Sequence, residues 1–159
     1  MFILLRALAS IRHQTHLPAG EPRWLAIRHV DAGSCNGCEH ELGAVTNPYH
    51  DLQRHGLDIV ASPRHADILL VTGPVTTRMA VPLQRAYDAM PEPRLVAALG
   101  DCALGRNVLG DAAELAGTLE NFFAVDIRIP GCPPTPATIA EYLLAGIAEH
   151  ELSTNQHTP

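Results

Sequence analysis

The chain has 159 residues, the size of one domain with room for a real core, and its hydrophobic fraction of 47% is that of a soluble globular protein. Its net charge of −6 comes with no basic block and only 4% of its residues are aromatic. Those values exclude a phosphate-binding surface and a base-stacking platform, so nucleic acid is not expected as a partner.

Residues 1–20 are expected to form an N-terminal amphipathic arm. Phe2, Leu5, Leu8 and either Ala9 or Ile11 recur near helical spacing, and Pro18-Ala19-Gly20 with Pro22 stop the helix. Such a stripe needs a cover: its own domain, a partner subunit or a membrane surface. The domain proper is expected over residues 21–150, and residues 151–159 are a polar tail.

Within the domain a strand is expected over 24–30, followed by a short helix over 39–45 that Asn47-Pro48 halts. A second strand falls at 57–61. Residues 66–72 are a continuous apolar run, the pattern of a strand covered on both faces. Gly73-Pro74 breaks it, and Thr76 or Thr77 can cap the helix that follows. That helix places Val75, Met79, Leu83, Ala86, Tyr87 and Met90 on one face. Pro82 costs little there if it lies in the first turn, and Pro91 and Pro93 end the helix. A strand at 95–99 comes next, then a helix over 111–119 with Leu115 and Leu119 inward, then a strand at 124–129. Thr135-Pro136 opens a last helix whose inner face is Ile139, Tyr142, Leu143, Gly146 and Ile147. Strands alternating with helices over short connections predict an α/β fold, an open, doubly wound sheet of parallel strands joined by right-handed crossovers. No repeat or linker divides it.

No apolar run approaches the ~20 residues of a bilayer span. No secretory or twin-arginine signal is read at the start, so the chain is expected to stay in the cytoplasm. Thiols there are kept reduced, which points the four cysteines to metal or redox work before disulfides. The nine histidines are scattered without an HxxxH or HExxH pattern and read as solvated or capping groups. His40, two residues after Cys38, is the one to watch.

The organising stretch is Gly33-Ser34-Cys35-Asn36-Gly37-Cys38-Glu39, two thiols three positions apart among small residues. Cys102 and Cys132 each come three residues after an expected strand. Ligands of open α/β sheets bind at the carboxyl ends of the strands, so all four thiols are expected to converge on one rim. Four converging thiolates can hold zinc or an iron–sulfur cluster. Zinc sites usually present two close Cys pairs, whereas Cys102 and Cys132 stand alone on separate loops, which suits a larger cubane. Proline after the last ligand, as at Cys132-Pro133, is a feature of cluster-binding loops. Gly33, Gly37, Gly100 and Gly131 leave room for backbone N–H groups to approach sulfides.

Those residues carry a family resemblance. Asp31-Ala32-Gly33-Ser34-Cys35-Asn36-Gly37-Cys38-Glu39, Ser62-Pro63-Arg64-His65-Ala66-Asp67-Ile68-Leu69, Thr72-Gly73-Pro74-Val75-Thr76 and Ile129-Pro130-Gly131-Cys132-Pro133-Pro134 resemble the small subunit of group 4 membrane-bound nickel–iron hydrogenases. These include the formate hydrogenlyase and hydrogenase-4 type, and the family also holds the complex I 20 kDa (B) subunit. The likeness spans roughly residues 24–147. It implies a flavodoxin-like open parallel sheet with helices on both faces and one proximal 4Fe–4S cluster on Cys35, Cys38, Cys102 and Cys132. It also implies an electron-transfer role between ferredoxin-like iron–sulfur subunits and a catalytic large subunit. Membrane subunits of the same complex are implied as well, with peripheral attachment to the cytoplasmic face of the inner membrane. No catalytic residue is expected in this chain. The complex I-like alternative delivers electrons to quinone; there the first two ligands are adjacent, whereas here they are spaced as CxxC. By the same resemblance Glu39 could take part in proton movement and Arg78 could lie near the cluster or the large-subunit junction. The plain readings are a carboxylate in the first turn of a helix and a solvated helix charge. Around the third cysteine the chain departs from the family's small-residue pattern at Asp101 and Arg106.

Overall fold

Residues 24–106 and 113–155 are described by the structure, a computed structural model. The arm expected over residues 1–20 lies outside the described residues. In chain order the elements are β1 (Leu25–Asp31), α1 (Gly37–Ala44), β2 (Leu57–Ile59), β3 (Ile68–Thr72), β4 (Val75–Thr76), α2 (Thr77–Asp88), β5 (Leu95–Leu99), β6 (Leu115–Gly117), β7 (Ile127–Ile129) and α3 (Pro136–Asn155). Short 3-10 turns lie at Leu52–His55, Pro63–His65 and Leu119–Asn121.

Five strands form a parallel sheet in the order β2-β1-β3-β5-β7. From β1 the chain goes to one side for β2 and then returns past β1 to β3, so the strand order reverses between β1 and β3. This is the flavodoxin-like order, with its ligand crevice at that reversal. All five residues of β3 are buried, as an apolar run between two helical layers should be. Alternate strand residues feed two cores. Ile27, Leu70, Leu99 and Ile129 pack with Leu42 of α1 and with Ile139 and Leu143 of α3. Val30, Leu69, Val71, Val96 and Ala98 pack with Leu83 of α2 and with Phe123. Helices therefore cover both faces.

Most expected elements are present, with differences that have local causes. No helix occupies the described part of 111–119. Leu115–Gly117 instead pairs antiparallel with Val75–Thr76, and a 3-10 turn follows. The four-residue spacing of Leu115 and Leu119 mimics a helical face, but Gly117 sits at φ +145°, with Asn121 Oδ1 where a Cβ would go. Leu119 is buried as expected, from the turn. Val75, expected on the helix's apolar face, and Thr76, expected as its cap, are instead that strand's partner. Thr76 makes no side-chain cap; its hydroxyl donates to the Ala32 carbonyl at 3.0 Å. Pro82 lies inside α2, beyond its first turn, so the Arg78 carbonyl has no N–H four residues on. The last strand begins at residue 127, because the Asp126 carboxylate turns in to accept the Val96 N–H at 2.8 Å. Tyr142 was expected inward and is instead 40% exposed.

Gly146 lets α3 approach the sheet: a Cβ there would stand 2.7 Å from Ile127 Cγ1. A larger residue gains up to about 1 kcal/mol of helix propensity over glycine. The overpacking it causes costs about 1–3 kcal/mol and outweighs that gain. Gly146→Leu is therefore expected to lower the urea midpoint with the denaturant slope unchanged; a raised midpoint refutes this packing.

Candidate metal centre

The first thiol loop is built by its neighbours. Asp31, closing β1, accepts the N–H groups of Gly33 (2.8 Å) and Ser34 (2.7 Å) on one carboxylate oxygen, which turns the chain into the loop. Gly73, at φ +74°, lies so close that a Cβ on it would be 2.4 Å from the Ser34 nitrogen. The turn after β3 is thus pressed against the loop after β1. The Ala32 N–H donates to the Thr72 carbonyl and the Thr76 N–H to the Ala32 carbonyl, continuing the stitching past the strand ends. Asn36 takes a left-handed conformation at φ 68°, and α1 starts beyond it with Cys38 in its first turn.

Cys102 follows β5 and Cys132 follows β7, and their loops are tied to each other. The Gly100 N–H donates to the Ile129 carbonyl and the Asp101 N–H to the Gly131 carbonyl, each at 2.8 Å. Asp101 Oδ1 accepts the Gly131 N–H at 3.1 Å, and the Asp101 carbonyl accepts the Arg106 N–H at 2.8 Å. Asp101 thus couples the two cysteine loops. Gly100 joins them to the first loop: a Cβ on it would lie 2.6 Å from Cys38 Sγ. Gly37 faces Pro133 and Cys35 in the same way, with 3.7 Å and 3.6 Å from its Cβ position.

All four cysteines are free thiols; Cys35 and Cys132 are exposed, Cys38 and Cys102 partly covered. Burial pushes the Cys38 thiol up to about 12, with further rises from Glu39, Cys102, Cys35 and Cys132. Burial also raises Cys102, followed by the charges of Cys132, Cys35 and Asp101. With the Gly100 backbone against Cys38 Sγ, Gly37 facing Pro133 and the Cys102 and Cys132 loops tied by amide bonds, the three cysteine loops meet on one rim. Among the described residues no three His, Cys, Asp or Glu side chains are gathered tightly enough to form a single-ion site. A donor set of four thiols, with a glycine where a Cβ would strike Cys38 Sγ, is chemically suited to a thiolate-held group.

Other residues separate into those at the rim and those away from it. Glu39, in the first turn of α1, accepts hydrogen bonds from the hydroxyls of Ser34 (2.5 Å) and Thr72, and His29 Nε2 stands 3.6 Å from it. Arg78 is exposed at the start of α2, and no hydrogen bond or ion pair among the described residues joins it to the thiol loops. His40 is exposed on α1. His29, read as solvated or capping, is instead half-buried and bonded to Thr72 at 2.9 Å. Sequence reasoning did not single out His29, Ser34 or Thr72. The one available signal was polar residues at positions 29 and 72, which share a face at the ends of two apolar strands.

Comparison with known proteins places these features in a context. A family described as "NADH ubiquinone oxidoreductase, 20 Kd subunit" matches residues 35–146. The probable membrane-bound hydrogenase subunit mbhJ of Pyrococcus furiosus is 42% identical over 120 residues, 76% of this chain and 71% of the relative. Formate hydrogenlyase subunit 7 of Escherichia coli K12 is 41% identical over 128 residues, covering 79% of this chain; this chain spans half the length of that relative. Among solved structures, a chain of the membrane-bound sulfane sulfur reductase, an archaeal respiratory membrane complex, superposes with a TM-score of 0.65 at 30% identity. That match covers 82% of this chain and 73% of the other. A chain of an NAD+-reducing [NiFe]-hydrogenase shares the fold at a TM-score of 0.57 and 20% identity, over 78% of this chain and 93% of its own.

Two outcomes follow from the electrostatics. In the metal-free chain Cys38 should be alkylated by iodoacetamide more slowly than Cys35 at pH 8, because its thiolate is suppressed and half covered; peptide mass spectrometry against time reads this, and equal rates refute it. His29 is lowered from 6.5, first by burial, against the raising influence of Glu39 and Asp31, with Arg28 lowering it further. The unfolded chain then takes up this proton first as pH falls, so stability is full above pH 6.5 and declines as pH drops through the folded value. His29→Gln should flatten that acid decline in urea titrations; an unchanged slope refutes the assignment.

Proposed function

The chain belongs to the family of the NADH ubiquinone oxidoreductase 20 kDa subunit, and from that membership we propose that it is the electron-transfer small subunit of a membrane-associated nickel–iron hydrogenase complex. In this reading Cys35, Cys38, Cys102 and Cys132 hold one 4Fe–4S cluster. A bound cluster supplies one-electron, outer-sphere redox chemistry. The residues of the chain do the rest. Gly100 and Gly37 keep backbone, in place of side chains, beside Cys38 and Cys35, and amides near sulfur raise a cluster's potential. Asp101 keeps the Cys102 and Cys132 loops in fixed relation. A four-thiol donor set leaves substrate chemistry to a partner, so the catalytic centre is assigned to a large subunit and the electron supply to a ferredoxin-like subunit. Arg78, exposed at the start of α2, is available to that large-subunit junction, and Glu39, beside Cys38, to proton movement there. No helix among the described residues is long and apolar enough to cross a membrane. Attachment is therefore proposed to be peripheral, on the cytoplasmic face, through membrane subunits of the same complex.

The observation that carries this reading is the convergence of the three cysteine-bearing strand-end loops on the rim nearest the strand-order reversal: the Gly100 backbone lies against Cys38 Sγ, Gly37 faces Pro133, and the Gly100 and Asp101 amides bond to the Ile129 and Gly131 carbonyls. A second reading, delivery of electrons to quinone, is favoured by the family's description as an NADH ubiquinone oxidoreductase subunit. The sequence of the large partner separates the two: paired CxxC motifs at its two ends favour the hydrogenase.

Purified without oxygen, the chain should be brown, carry about four irons and give an EPR signal on reduction. Cys102→Ala should lose that iron and signal while its far-UV circular dichroism stays near the parent's. A colourless, zinc-loaded parent, or full iron in Cys102→Ala, overturns the reading.

A further inference from the structure

Beneath the first turn of α1 runs a line of polar side chains that electron transfer does not require. Thr72, at the end of β3, is fully buried. Its hydroxyl donates to Glu39 Oε1, and His29 Nε2 lies 2.9 Å from the same hydroxyl oxygen. The other carboxylate oxygen, Glu39 Oε2, accepts the Ser34 hydroxyl at 2.5 Å, and Ser34 Oγ in turn accepts the Asn36 N–H at 3.0 Å. A hydroxyl has a single proton to give. Thr72 gives its proton to the carboxylate, so the imidazole must be the donor to Thr72, and neutral His29 carries its proton on Nε2. Hydrogen bonds then run one way along both arms, from His29 through Thr72 and from Asn36 through Ser34, and meet on Glu39.

We propose that Thr72 and Ser34 are positioning residues for the thiol pair: by holding both oxygens of Glu39 they lock the loop of Cys35 and Cys38 onto the end of β3. Glu39 is covalently next to Cys38, Ser34 is next to Cys35, and Thr72 belongs to the strand between β1 and β5. The Thr72 arm therefore fastens the segment carrying both cysteines to the middle of the sheet, and the Ser34 arm ties the start of that segment to its end through the same carboxylate. Hydrogen bonds to a partly buried carboxylate are stronger than neutral ones, and removing one arm leaves one of its oxygens without its hydroxyl donor. The backbone contacts of Gly73 and Thr76 fix only the start of the loop; the carboxylate fixes its far end, where Cys38 enters the helix. The clamp deepens the cluster-binding reading but is also present without a cluster, so the two can fail separately.

Thr72→Val keeps the volume and removes the hydroxyl, Thr72→Ser restores it, and Ser34→Ala removes the other arm. In the full-length, metal-free, reduced chain, Cys38 alkylation by iodoacetamide should accelerate about three- to tenfold in Thr72→Val and Ser34→Ala, the ratio set by one net hydrogen bond. Cys102 should keep its rate, and Thr72→Ser should return Cys38 to the parent's. Nitrogen-15 spectra should show the Nε2-protonated imidazole for His29 in the parent and a mixed tautomer in Thr72→Val. After reconstitution with iron and sulfide, the reduced EPR spectrum should change in Thr72→Val and return in Thr72→Ser. An unchanged Cys38 rate in both Thr72→Val and Ser34→Ala overturns the clamp. So does equal acceleration of Cys102, which would mark general loosening, or failure of Thr72→Ser to restore the parent rate. A parent that takes up no iron overturns the cluster and leaves the alkylation result to decide the clamp.

Discussion

The rim of this molecule depends on backbone pressed against backbone at the carboxyl ends of parallel strands. Gly73 lies on Ser34, Gly100 lies beside Cys38, and the Gly100 and Asp101 amides bond to the carbonyls of Ile129 and Gly131. Each contact joins loops at least 29 residues apart in sequence, and at Gly73 and Gly100 the approach needs a residue without a side chain. At Gly73 and Gly100 a positive φ adds a second requirement that only glycine meets without strain. The two conditions together explain why the loops flanking the cysteines are glycine-rich. Flexibility would be the opposite of what such a rim needs.

The parallel sheet supplies the other half of that constraint. In a parallel arrangement every strand delivers its carboxyl end to the same side, so the loops after β1, β3, β5 and β7 emerge together without long excursions. The register of β3 against both neighbours puts Asp31 and Leu99 level with Thr72. The thiol loops after β1 and β5 thus leave the sheet at the same height, with the Thr72 hydroxyl between them. Burial of β3 on both faces keeps that register fixed, since a one-residue slip would exchange the two cores.

Which parts were legible in the sequence follows the range of the interactions. The strands at Ile68–Thr72 and Leu95–Leu99 announce themselves as apolar runs, and α3 by Thr135-Pro136 and its apolar face. The grouping of Cys35, Cys38, Cys102 and Cys132 on one rim followed from where those strands end, because the topology of such sheets is so restricted. β6 was read as helix because its Leu115 and the Leu119 just beyond it are spaced for one, while the partner that makes it a strand lies some forty residues earlier. The long-range arm of the Glu39 network was invisible for the same reason: its bonds span 33 and 43 residues, and neither a threonine ending a strand nor a histidine within one advertises a partner. Asp101 looked like a departure from pattern and is a coupling residue, because its partner, the Gly131 amide, is a backbone group that any sequence would possess.

The hydrogen bonds that organise the rim do not pass through sulfur. The Cys102 and Cys132 loops are held by Gly100, Asp101 and Gly131, and the Cys35 and Cys38 loop by Asp31, Ser34, Glu39 and Thr72. Loss of a thiol therefore leaves the scaffold's own bonds in place, whereas loss of a scaffold bond moves thiols that remain chemically intact. The two kinds of substitution ought to separate cleanly: one changes how many donors the rim presents, the other how they are spaced. In a protein whose thiols themselves held the loops in place, both would look alike.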